Sequence, residues 1–224
     1  MVDFIVNSIR YHSTYCWILN FYKEKNNFLD FGCGEGEFVS YLRKKRCRSY
    51  GIDPDVKTAS FSSLADIREK HKDAFDVVIM NFSLEHFDNP ESTLGEIKKL
   101  LTSNGLIFIR IPNAARKDRL SSFQIKSGIH RSYFNHKRLK DLLEKCGFSI
   151  LKIDTRFCLT SAITAPCSLF TGLDPESWLH KDTIIKFHKA VILSILSFIL
   201  LPYELLKSLA GQGIILHAAA RKIS

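Results

Sequence analysis

The residues best suited to chemistry in this chain lie in one short run, Asp30-Phe31-Gly32-Cys33-Gly34-Glu35-Gly36. Phe28 and Leu29 before it read as a buried strand, and Glu35 opens a helical pattern after it. Glycines between a strand and a helix let backbone approach a ligand with no Cβ in the way. In open α/β sheets a nucleotide-like ligand lies across this crevice, at the carboxyl ends of the strands. Asp53 closes the next predicted strand, roughly 20 residues on, where a carboxylate accepts hydrogen bonds from both hydroxyls of a ribose. The glycine spacing discriminates between ligands. A dinucleotide fingerprint, G-x-G-x-x-G, needs its third glycine at position 37, where the chain has Glu37. The pattern present is G-x-G-x-G after Asp30, which leaves an uncovered carboxylate beside the turn. That charge repels a pyrophosphate and suits a ligand carrying an ammonium and a sulfonium. The alternative is a tight structural turn with no ligand, and the position of Asp53 argues against it.

These residues need a frame, and the rest of the sequence supplies it. The first 27 residues read as helical, with Ile5, Ile9, Tyr15, Trp17, Ile18 and Phe21 as apolar candidates. A helix from Glu35 to about Lys45 turns Phe38, Val39 and Leu42 inward. Ser49 to Asp53 and Phe75 to Met80 read as strands. Asn89 and Pro90 suit the cap and first position of a helix reaching about Leu101. Asn104-Gly105 makes a turn before a buried strand from Leu106 to Ile111, stopped by Pro112. Asn135 caps a helix that ends at Cys146 and Gly147, and Phe148 to Ile153 is a further strand. Ile214 to Ala219 reads as a last strand. Strands alternating with helices predict a mostly parallel sheet covered on both faces.

In this order the motifs resemble those of the class I S-adenosylmethionine-dependent methyltransferases, closest to the type 11 and type 23 group. Phe28 to Gly36 looks like the first motif, and Gly51-Ile52-Asp53 like the second-strand motif. Phe75-Asp76-Val77-Val78 with Leu84-Glu85-His86, then Leu100 to Gly105 with Ile111-Pro112-Asn113, and His130 through Gly147-Phe148 follow in sequence. The resemblance covers roughly residues 25 to 153 and a final strand near 214 to 222. It implies a Rossmann-like three-layer α/β/α sandwich whose sheet has seven strands, mostly parallel, with an antiparallel last strand. It implies S-adenosyl-L-methionine as cofactor, with Asp30, Gly32 and Gly34 on its methionine part and Asp53 on the ribose. Asp66 is expected near the adenine, and Asn81 beside the transferred methyl.

Methyl transfer is an in-line displacement, so the enzyme aligns a nucleophile with the methyl group and excludes water. A hydroxyl nucleophile also loses a proton, and histidine is the natural base near neutral pH. His86 follows the fourth strand of the implied sheet and His130 the fifth, both at the edge where the cofactor lies. Each is a candidate catalytic base, against packing or backbone hydrogen bonding as the alternative. After Asn81 the chain reads Phe82-Ser83, not the Asn-Pro-Pro-Tyr run of enzymes that methylate exocyclic amines of bases. The expected acceptor is therefore a small molecule or a glycan. An RNA acceptor, or a methyltransferase-like binding protein that has lost catalysis, is the alternative; the intact Asp30, Gly32, Gly34 and Asp53 set argues against the last.

Composition bounds the remaining partners. The 224 residues suit one domain, with an apolar helical insertion at about 155 to 212 before the last strand. The net charge of +9 suits anionic partners such as phosphorylated substrates, nucleic acid or anionic lipid, or else a solvated surface. Arg116, Lys117, Arg119 and Arg131 are candidates for a phosphate-bearing substrate. None of the six cysteines forms a Cys-x-x-Cys pair, so neither a zinc site nor a disulfide framework is suggested and no metal is assigned, although Glu85 could bind a cation or fix its loop. The start of the chain, with Asp3 and no basic segment before a long apolar stretch, does not read as a signal peptide, and a cytoplasmic setting is expected. Ala190 to Leu201 is strongly apolar, is interrupted by Pro202 and Glu204, and is flanked by Lys181, Lys186, Lys189 and Lys207. It is too short to span a bilayer, which takes about 20 residues, and suits a lid, a dimer contact or the surface of a membrane.

Overall fold

Six strands form one sheet in the order β2-β1-β3-β4-β6-β5. They are β1 (Asn27–Phe31), β2 (Arg48–Ile52), β3 (Phe75–Asn81), β4 (Leu101–Pro112), β5 (Phe148–Arg156) and β6 (Ile215–Lys222). The computed structural model describes residues 2–24, 26–54, 56, 59–61, 67, 74–115, 130–156, 202 and 205–223. β1 to β4 run parallel, and β6 lies antiparallel between β4 and β5. Helices among the described residues include α1 (Val2–Leu19), α2 (Glu37–Lys44), α3 (Pro90–Leu100) and α4 (His136–Lys145), with a 3₁₀ turn at Leu84–His86.

Side chains alternate across a strand, so each strand feeds two cores. On one face Phe28, Val77, Ile79, Phe108 and Ala219 pack under α1 and α2 through Trp17, Ile18, Phe38 and Leu42. Trp17 meets Phe108 edge-on with ring centroids 5.2 Å apart, a geometry the ring quadrupoles favour. On the other face Leu29, Val78, Met80, Ile107 and Ile109 pack under α3 and α4 through Leu94, Ile97, Leu139 and Leu143. That is the expected three-layer sandwich. The expected caps hold it in register: the Asn89 side chain accepts from the Ser92 N–H at 3.0 Å, and Asn135 from the Arg138 N–H at 2.8 Å. Each such cap contributes about 1 kcal/mol.

Two details differ from the sequence reading. β4 starts at Leu101, not Leu106, because Leu101 pairs with Phe75 while Val77 pairs with Leu106. The expected turn at Asn104-Gly105 is thus an irregularity within a longer strand. The seventh strand is not among the described residues. Phe61 alone forms a parallel bridge to Ile52, its N–H donating to the Gly51 carbonyl at 3.1 Å. The chain therefore returns to the open edge of β2. Most of the apolar insertion, Ala190 to Leu201 included, lies outside the described residues.

Candidate active site at the strand ends

The glycine turn leaves β1 with its backbone in the left-handed region, at φ +83° for Gly32 and +51° for Gly34. The two glycines serve different ends. A Cβ on Gly32 would stand 2.5 Å from the Cβ of Ser83, whose hydroxyl donates to the Phe31 carbonyl at 2.7 Å. Gly32 therefore lets the loop after β3 close against the turn. A Cβ on Gly34 would meet nothing within 4 Å. The space beside Gly34 is open, as a ligand cradle requires. The Gly34 N–H donates to Asp53 Oδ2 at 3.0 Å, which fixes the turn to the end of β2.

Asp30 lies beneath this cradle, 3% exposed, and its Oδ1 has no hydrogen-bond partner. Burial, with Asp53 adding to it and Arg10 opposing, pushes its carboxyl up to about 8. Asp30 pairs in register with Ile79, so Asn81, two residues beyond, faces the same side of the sheet. The Oδ1 of Asn81 is buried and likewise unpartnered. Two acceptors without donors, beside an open turn, fit a ligand with a cationic head. Asp53, half-buried, follows the end of β2 beside the turn. Asp66 lies outside the described residues, as do Arg116, Lys117 and Arg119.

The loop after β3 carries the second group. Phe82 is forced to φ +53°, a strained conformation for a bulky residue, and its N–H donates to the Arg110 carbonyl at 2.8 Å. The chain then enters the 3₁₀ turn. The Glu85 carbonyl accepts from the Arg131 and Ser132 N–H groups at 2.8 and 3.0 Å, which pulls the distant loop onto this turn. His130 and His86 meet there, edge to face, with ring centroids 5.0 Å apart. Burial, and then the nearby His86, lower the His130 pKa, favouring the neutral imidazole that can accept a proton. Glu85 is 2% exposed with neither carboxylate oxygen hydrogen-bonded, and burial pushes its carboxyl up to about 7.

Sequence reasoning missed the contribution of α1. Tyr11 donates to the Glu37 carboxylate at the start of α2, bracing the turn. Thr14 accepts from the buried Arg110 guanidinium at 2.6 Å, and Arg110 Nε donates to His217 Nε2 at 3.4 Å. A polar row thus continues from Asn81 through Arg110 and His217, which pair in register across β3, β4 and β6. Two surface grooves among the described residues, of about 480 and 550 Å³, lie along α4; neither is lined by the glycine turn.

No curated protein matches the chain by sequence. Solved structures do. A SAM-dependent methyltransferase from Archaeoglobus fulgidus is 18% identical at a TM-score of 0.61, covering 96% of this chain and 94% of the other. Phosphoethanolamine N-methyltransferase 2 of Haemonchus contortus, in complex with S-adenosyl-L-methionine, is 16% identical at a TM-score of 0.62, covering 95% and 53%. An S-adenosylmethionine-dependent methyltransferase from Mesorhizobium loti is 15% identical at a TM-score of 0.52, covering 88% and 90%. At such identities the likeness is one of fold. The sequence profile described as a methyltransferase domain matches residues 13–153. That span is more than half of the chain and holds the glycine turn, Asp53, Asn81 and both histidines, so the chain belongs to the methyltransferase-domain family and is a methyltransferase.

Proposed function

We propose that the chain moves a methyl group from S-adenosylmethionine to a hydroxyl of a small molecule or glycan. The cofactor supplies an electrophilic methyl on a cationic sulfonium. The observation that carries this reading is the buried, unpartnered Asp30 carboxylate oxygen beside the open space at Gly34. An ammonium there supplies the missing donor and favours the ionised carboxylate. Asp53 takes the ribose hydroxyls, and Asn81 turns its free carboxamide oxygen toward the transfer site. His86 and His130 stand at the same edge of the sheet and assist the loss of the acceptor's proton.

Transfer to an amine is the second reading, supported by the N-methyltransferase among the solved structures of this fold. An RNA acceptor is supported by the net charge of +9 alone. A membrane-surface setting, at the inner face and without crossing, extends the glycan reading. It is supported by Leu206 and Leu209, 67% and 78% exposed beside Lys207. No helix among the described residues is long and apolar enough to cross a membrane. The test is a labelled-methyl transfer screen over sugar nucleotides, lipid-linked glycans, quinone precursors, amines and RNA. Label on a hydroxyl of a small or glycan acceptor is the expected result; label only on RNA or on nitrogen overturns the hydroxyl reading.

A further inference from the structure

We propose that Glu85, His86 and His130 bind one divalent first-row transition-metal ion at the acceptor side of the sheet. Each offers one ligand atom, and the three atoms lie within 4.8 Å of one another. Glu85 is the key member, 2% exposed with both carboxylate oxygens buried and unpartnered. A buried carboxylate with no donor from another residue and no counter-charge is costly, the residue's own backbone N–H only partly offsetting its burial, and a cation between it and the imidazoles removes that cost. The cluster is not needed for closing the loop. The backbone bonds from Arg131 and Ser132 to the Glu85 carbonyl already join the two segments, and they use neither imidazole nor the carboxylate. They hold the three ligands together with their donor atoms free to converge.

Two imidazoles and one carboxylate are the donor set of three-ligand catalytic zinc sites and of ferrous facial sites, which keep positions open for water or substrate. Such a set favours zinc, cobalt or iron over magnesium and calcium. Metal–ligand bonds of about 2.0–2.2 Å bring donor atoms to roughly 3–3.5 Å apart, so the cluster closes by about 1 Å on binding. His86, exposed on its turn, has the freedom to make that move.

The ion's role rests on the hydroxyl reading above. With the ion bound, His86 and His130 assist proton loss as its ligands and not as free bases: the acceptor oxygen takes an open position, and the ion lowers the pKa of its O–H bond. The proton leaves to solvent, the O–CH₃ bond forms as the S–CH₃ bond breaks, and S-adenosylhomocysteine departs. Nothing is oxidised or reduced.

The test uses the full chain, stripped with chelator and carrying no histidine tag. Co²⁺ is followed by visible absorption and Zn²⁺ by calorimetry, in the wild type and in the double variant His86→Ala/His130→Ala. The expected result is one ion per chain in the wild type and at least a 100-fold loss of affinity in the double variant. The double variant should keep S-adenosylmethionine binding, which shows that the fold and cofactor site survive. A wild type that binds neither ion, or a double variant that binds both as tightly as the wild type, overturns the proposal. One-to-one binding in a protein that methylates only amines supports the site and overturns the hydroxyl reading separately.

Discussion

Replacing Asp30 with Asn removes a buried carboxyl that keeps its proton to about pH 8 in the folded, ligand-free chain. In the unfolded chain the same group titrates at its ordinary value of 3.8. Between those values the unfolded state has lost a proton that the folded state retains. Unfolding is therefore favoured as the pH rises, the opposite of a salt-bridged carboxylate. Below about pH 4 both states are protonated and the penalty is absent. At about 1.4 kcal/mol per pH unit over about four units, the wild type loses on the order of 5 kcal/mol by pH 8. The carboxamide of the Asp30→Asn variant does not titrate, so the stability difference between variant and wild type should widen by that scale from pH 4 to pH 8, in favour of the variant. Glu85 titrates in the same sense in both proteins and cancels in the comparison. Urea unfolding of the two proteins across that range is the assay. Curves that stay parallel within about 1 kcal/mol would refute the claim that Asp30 is buried unpaired. The same linkage predicts that S-adenosylmethionine, which draws the ionised form, releases a proton on binding. Its affinity should rise about tenfold per pH unit below about pH 8, stop rising once Asp30 is ionised in the free chain, and fall where the ligand's own amine loses its charge.

Gly32→Ala should cost about 2–5 kcal/mol of stability, from left-handed backbone strain and the contact with Ser83. Gly34→Ala, with open space around it, should cost only about 1–2 kcal/mol but lower cofactor affinity at least tenfold; thermal melts and calorimetry separate the two, and equal effects at both sites would sink the distinction. His86→Ala or His130→Ala should lower turnover roughly 100-fold with cofactor affinity nearly intact, and wild-type turnover in both would leave alignment alone to explain the rate. Replacing Leu196 and Phe198 with Ser should release the protein from anionic vesicles, since each buried apolar side chain contributes about 1.5–3 kcal/mol. A wild type that never co-sediments with such vesicles at low salt would assign that run to a lid or core instead.

The elements around the site were legible because local chemistry specifies them. Asn89-Pro90 and Asn135 cap α3 and α4 as their residue types require, and Phe38, Val39 and Leu42 are buried at the helical spacing the sequence shows. Asp30, Gly32, Gly34 and Asp53 stand out together as candidates because turn, strand end and charge lie within one βαβ unit. What stayed hidden depends on segments distant along the chain. The Glu85, His86 and His130 cluster exists because two backbone bonds fold the later loop onto the 3₁₀ turn, and no spacing rule announces it. Cysteine spacing gave no reason to expect a metal, and the proposed ligands are not cysteines. Arg110 meets Thr14 and His217 only because β6 inserts beside β4 and α1 crosses both. The early start of β4 follows from pairing with Phe75, a tertiary event that overrides the local turn signal of Asn104-Gly105.

Calorimetric titration with S-adenosylmethionine, S-adenosylhomocysteine and NAD tests the central claim most directly. The wild type should bind both adenosyl ligands one to one and NAD not at all. Asp53→Ala should weaken adenosyl binding by about 1.5–3 kcal/mol, the scale of charge-assisted hydrogen bonds. Clear heat with NAD and none with either adenosyl ligand would contradict the account.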